Sequence, residues 1–92
     1  MKVIKIGAIW CGGCLVTNKA WNKLLKDYSF EYEELDFDID EDVVKKYNPG
    51  DKLPLFIIID KDVEISRFCG EFNYDELKDK LEKEGVIDEK NM

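Results

Sequence analysis

Apolar residues recur along the chain in two different periods, and the switches between them mark seven elements. Val3, Ile4, Ile6, Ala8 and Ile9 form a short β-branched run, read as a buried strand. After Cys11-Gly12-Gly13-Cys14 the period lengthens. Trp21, Leu24, Leu25 and Tyr28 fall at i, i+3, i+4 and i+7, with Lys19, Lys23 and Lys26 on the opposite face, which predicts a helix. Phe30 to Phe37 returns to alternation and predicts a second strand carrying Tyr32, Leu35 and Phe37. Asp40 is placed to cap a short helix with Val43, Val44 and Tyr47, and Asn48-Pro49-Gly50-Asp51 stops it.

Leu55 to Ile59 is the most apolar run in the chain, which predicts a strand buried on both faces. Asp60-Lys61-Asp62 turns it back into Val63–Cys69 as a hairpin. Gly70 ends that strand. Asn73 and Glu76 have the spacing of a capping box, and Phe72 and Leu77 that of a hydrophobic staple. Tyr74, Leu77 and Leu81 supply the apolar stripe of the last helix, and Gly85 ends it. The predicted order is β-α-β-α-β-β-α: an α/β fold with a four-stranded mixed sheet and helices on both faces. Its first two strands should be parallel through a right-handed crossover. Residues 1–87 make one domain, and 88–92 are read as a frayed tail.

With 92 residues, 45% of them hydrophobic, the chain can bury one modest core and is not disordered by composition. A net charge of −7 makes it a poor ligand for nucleic acid or anionic lipid. The absence of His excludes His-dependent catalysis and His metal ligands. The apolar run near the N-terminus is broken by Lys5 and followed by no small-residue cleavage site, so no signal peptide is read and a reducing cytoplasm is expected. In that compartment, three cysteines are better suited to redox or metal chemistry than to a structural disulfide.

Trp10-Cys11-Gly12-Gly13-Cys14 joins a buried strand to a helix. Cys11 falls at the helix start, where unpaired N–H groups and the positive end of the dipole favour negative charge on sulfur. It is therefore expected to attack first. Cys14, one turn on, is placed to close a disulfide with Cys11 and resolve a mixed disulfide. No organic or metal cofactor is needed beyond that redox-active pair.

These residues resemble the thioredoxin and glutaredoxin superfamily over nearly the whole chain, in a minimal form lacking the extra N-terminal strand and helix of full thioredoxins. The Trp10–Cys14 motif is similar to thioredoxin's Trp-Cys-Gly-Pro-Cys, with Gly13 in place of Pro. Leu53-Pro54-Leu55 resembles the family's cis-proline segment, and Gly70 its glycine after the last strand. The resemblance implies a thioredoxin-like fold and reduction of disulfide-containing protein substrates by a monomer. It also implies a docking surface of Trp10, Leu53, Pro54 and Gly70, expected to be nearly neutral, and re-reduction by a thioredoxin reductase-type flavoprotein or by glutathione. A glutaredoxin-like, glutathione-linked enzyme is the alternative within the superfamily. Against it, no Thr-Val precedes Pro54 and no Gly-Gly-x-Asp follows Cys69.

Where thioredoxins carry a buried Asp six residues before the first cysteine, this chain has Lys5. An ungapped count from Lys46-Tyr47 puts Glu34 at the position of the partnering Lys. The resemblance therefore implies an ion pair of reversed sign below the motif, with Lys5 favouring the Cys14 thiolate. The other reading sends Lys5 to a sheet edge and Glu34 to water. Cys69 is read as a small apolar residue of the fold, inert as buried thiols are. A non-enzymatic alternative, a dimer bridged by metal through Cys11 and Cys14, would need a second copy to complete four thiolates. The acidic run Asp36, Asp38, Asp40, Glu41, Asp42 is read as solvated surface.

Overall fold

A computed structural model describes residues 1–50 and 52–87. The elements are β1 (Lys2–Gly7), α1 (Gly12–Asp27), β2 (Glu31–Asp36), α2 (Glu41–Lys45), β3 (Leu55–Asp60), β4 (Val63–Cys69) and α3 (Tyr74–Lys83). They follow the order that the hydrophobic periods predict. The sheet runs β2-β1-β3-β4, with β1 parallel to β2 and antiparallel to β3, and β3 antiparallel to β4. The tail at 88–92 and Asp51 of the predicted turn lie outside the described residues.

The inner strands, Lys5 apart, present buried apolar residues on both faces because both faces are covered. On one side, Val3, Phe56 and Ile58 pack with Trp21 and Leu24 of α1 and Leu77 and Leu81 of α3. Trp21 sits at the centre of this face, its ring 5.6 Å from Phe30, 5.7 Å from Tyr32 and 5.5 Å from Phe56. On the other side Ile4, Ile6, Leu55 and Ile57 pack with Val44 of α2. Since α2 is only five residues long, the β4 end of this second face is poorly covered.

Local chemistry sets the boundaries. Lys61 and Asp62, both at positive φ, make the tight β3–β4 turn. The capping box of α3 forms as its spacing predicts: Asn73 accepts the Glu76 N–H at 2.8 Å, and Glu76 accepts the Asn73 N–H at 3.1 Å. Gly85, at φ +81°, closes α3 through the paired bonds Val86 N–H to Leu81 O and Gly85 N–H to Glu82 O. Asn73→Ala should cost ~1 kcal/mol in a denaturant melt, because the Glu76 N–H at the helix start loses its acceptor.

Three expectations are corrected. The first strand ends at Gly7 rather than Ile9. Residues 8–10 turn instead, with the Cys11 N–H returning to Ala8 O at 3.2 Å, and Ile9 is left 86% exposed. Asp40 stands at the N-cap of α2, but its side chain does not cap that helix; it reaches back to accept the Asp36 N–H at 2.8 Å. Cys69 is exposed rather than buried, because β4 is an edge strand on the thinly covered face. No described helix is long and apolar enough to cross a membrane.

Candidate active site

The site forms where the C-terminal end of β1, the start of α1 and the segment entering β3 meet. Cys11 is the N-cap of α1, with extended backbone (φ −88°, ψ 109°), so its side chain points away from the helix. No acidic residue stands in the first turn, which leaves the positive end of the helix facing Cys11 undiminished. The other two helices both carry acids there. Cys11 is partly exposed, and its thiol donates to Leu53 O at 3.3 Å.

Cys14, one turn on, points inward and is 2% exposed. Burial is the largest cause that pushes its thiol up to about 11, and the hydrogen bond with the Cys11 thiol adds to it. The Ala8 backbone hydrogen bond and the charge of Lys5 pull the other way without reversing the shift. All three cysteines are free, so the site is in its dithiol form.

Pro54 is buried directly before β3, and the Leu53–Pro54 peptide is cis. Leu53 lies outside β3, so its backbone belongs to no strand pair. Gly70 adopts φ +120°, a region that a side chain would strain, and its N–H donates to Pro54 O at 3.1 Å. That bond ties the end of β4 to the proline segment. The structure thus brings Cys11 and Leu53 together next to Trp10, with Pro54 buried beneath and Gly70 bonded to it.

Trp10 is 62% exposed, held edge-on to Phe37 and donating its indole N–H to Asp38 Oδ2 at 2.7 Å. The expected near-neutral surface therefore has a carboxylate at its margin. Asp36, in turn, accepts the Asp38 and Ile39 N–H groups with Oδ1, so this part of the acidic run is structured rather than merely solvated. Sequence reading missed Asp38, which is 28 positions from its partner and has no local signal. It also missed Thr17. That hydroxyl is fully buried one turn below Cys14 and accepts the Phe72 N–H at 3.0 Å, fixing the loop after Gly70 against α1.

Lys5 and Glu34 are opposite each other in the β1–β2 register. Their side chains pair at 3.6 Å, with the Lys5 side chain 8% and the Glu34 side chain 49% exposed. The edge reading of Lys5 does not hold, because β1 is an inner strand. The pair borders a cleft of about 510 Å³ that runs up to Gly7, Cys14 and Asn18.

A partly exposed thiol at a helix start thus stands above a buried one, at one end of the mixed four-stranded sheet. The family model described as Thioredoxin matches residues 1–83. The chain belongs to the thioredoxin family, whose general chemistry is thiol–disulfide exchange with disulfide-containing proteins. Among solved structures it is similar to reduced Schistosoma mansoni thioredoxin pre-protein, with 26% identity and a TM-score of 0.79, covering 94% of this chain and 78% of that one. It is also similar to thioredoxin NaTrxh from Nicotiana alata, with 26% identity and a TM-score of 0.79, covering 89% and 70%. Thioredoxin 1 of Thermosipho africanus shares the fold at 24% identity and a TM-score of 0.69, covering 91% and 93%. No curated protein matches the chain in sequence.

Proposed function

We propose that this protein reduces protein disulfides through Cys11 and Cys14. The observation that carries the reading is the unequal placement of the two thiols: Cys11 is reachable at the helix start, and Cys14 is buried behind it. The Cys11 thiolate attacks a substrate disulfide, forming the mixed disulfide and releasing one substrate thiolate. Cys14 then loses its proton and attacks Cys11 Sγ, which frees the second substrate thiolate and leaves a Cys11–Cys14 disulfide. Two electrons pass to the substrate, and a reductase-type flavoprotein or glutathione returns them.

Trp10 and the neighbouring exposed Ile9 and Leu15 offer apolar contact to a docking partner. The Leu53 backbone, outside any strand pair, offers strand-like pairing, with Pro54 and Gly70 shaping the floor. Burial of Cys14 argues against the metal-bridged dimer, since a metal shared between copies needs both thiolates at the surface.

The test is reduction of a model protein disulfide with each electron donor in turn. Turnover is expected with a thioredoxin reductase system, accelerating as pH rises because Cys14 is protonated at neutral pH. Turnover only with glutathione would transfer the protein to the glutaredoxin-like reading. No turnover with either, together with metal retained after anaerobic purification, would favour the bridged dimer.

A further inference from the structure

A lysine whose side chain is 8% exposed in an inner strand is costly unless its charge is used or paired. Its one ion-pair partner among those identified, Glu34, is half in water and 3.6 Å away, which is a loose fit for a buried charge. What Lys5 does face closely is the site. A Cβ built on Gly7 would stand 3.5 Å from Cys14 Sγ and 3.8 Å from Lys5 Nζ, so the thiol and the amine look onto the same small space with no side chain between them. The cleft, lined also by Ala8, Leu15 and Asn18, opens that space to solvent.

We infer that Lys5 is the electrostatic positioning residue for the second half of the reaction, holding the Cys14 thiolate as it forms, and that Glu34 damps this effect by partly neutralising Lys5. The inference rests on the dithiol mechanism proposed above and concerns its resolving step alone.

The charged and titratable groups facing Cys14 and the cleft are Cys11 from the start of α1, Lys5 from β1, Glu34 and Asp36 from β2, and Asp40 from the loop before α2. Lys5 is the one cation in that set. Asp40 and Asp36 are engaged by backbone N–H groups, and both would oppose a thiolate. In the dithiol, the Cys11 thiol also raises Cys14. Once Cys11 is tied up in a mixed disulfide that contribution is gone, and burial is opposed by the Ala8 backbone and Lys5. The Cys14 proton leaves through the cleft to water, and the thiolate electron pair forms the new S–S bond.

The two members of the pair should therefore act in opposite directions. Lys5→Met removes the favourable charge, and resolution should slow about tenfold at neutral pH, as expected for loss of an opposite charge near a thiolate. Glu34→Gln leaves Lys5 undamped, and resolution should become about threefold faster, the smaller change reflecting screening at an exposed carboxylate.

The experiment is a stopped-flow reaction of the reduced protein with an aromatic disulfide, in a Cys69→Ser background because Cys69 is exposed. The first equivalent of coloured thiolate reports attack by Cys11, and the second reports resolution by Cys14. Absence of a second equivalent in the parent protein overturns the dithiol mechanism itself. Given two equivalents, opposite changes in the second phase, with its pH profile moved upward in Lys5→Met and downward in Glu34→Gln, support the inference. Slowing in Glu34→Gln would make Glu34 the proton acceptor instead, and no change would leave the pair without a role; either result overturns the inference. If Lys5→Met does not fold, Glu34→Gln alone decides, since its half-exposed side chain makes loss of folding an unsuitable explanation.

Discussion

Cys14→Ser is expected to accumulate covalent adducts with disulfide substrates, and Cys11→Ser to accumulate none. The difference follows from where the two sulfurs sit. Cys11 is the N-cap, its side chain outside the helix and its sulfur in reach of a partner. Cys14 is 2% exposed and burial pushes its thiol up to about 11, so at neutral pH it is protonated. A thiol that is both hidden and protonated cannot open a substrate disulfide; it can act only on a sulfur delivered to it, which is Cys11 Sγ. Multiple-turnover reduction should fall to the uncatalysed rate in both variants. Non-reducing gels of protein incubated with a disulfide substrate should then separate them, with a higher-mass, reductant-sensitive band for Cys14→Ser alone. Equal trapping by both would mean that Cys14 is reachable and that the order of attack is wrong.

The second large effect is on stability. Trp21→Ala should destabilise the fold by ~3–5 kcal/mol, the range for removing a large buried aromatic. Trp21 is fully buried and makes ring contacts with Phe30, Tyr32 and Phe56, which come from β2, its approach and β3. Truncation would open a void where α1 lies on the sheet, and neither the strands nor the helix can close it without breaking other contacts. Small domains have roughly 5–15 kcal/mol in total, so most of the stability would go. Each kcal/mol is worth roughly 4–8 °C in Tm at this size, which a thermal melt followed by circular dichroism resolves easily. Trp21→Phe should recover a large share of the loss, because the ring contacts matter more than the indole N–H.

The hydrophobic periods fixed the order of elements, and two features fixed the ends of some. β4 matches its predicted bounds because the Asp60–Asp62 turn and Gly70 frame it on both sides. The capping box at Asn73 is similarly local, with both partners three residues apart. Where sequence reading went astray, the deciding contact was distant. Ala8 and Ile9 continue an apolar run, yet the sheet has no neighbour for them, and Ile9 is exposed beside the motif. Asp40 has two possible backbone partners, and the one at Asp36 wins. Cys69 was misplaced because its exposure depends on the shortness of α2, an element that never touches it in sequence. The Lys5–Glu34 pairing was legible only through the register of two strands, which family resemblance supplied and alternation alone could not. Asp38 and Thr17 carried no signal at all, being defined by partners 28 and 55 positions away.

The strand order β2-β1-β3-β4 has a further meaning for how the molecule comes apart. Lys5 lies on β1 and Pro54 directly precedes β3, while Cys11 follows the chain out of β1. These two strands are the inner pair, hydrogen-bonded on both sides and covered on both faces. Edge strands and a short helix can fray at little cost, but the inner pair opens only when the whole cooperative unit does. The reacting groups are thus anchored to the last part of the molecule to yield, and partial opening at β4 or α2 leaves the spacing of the two sulfurs intact.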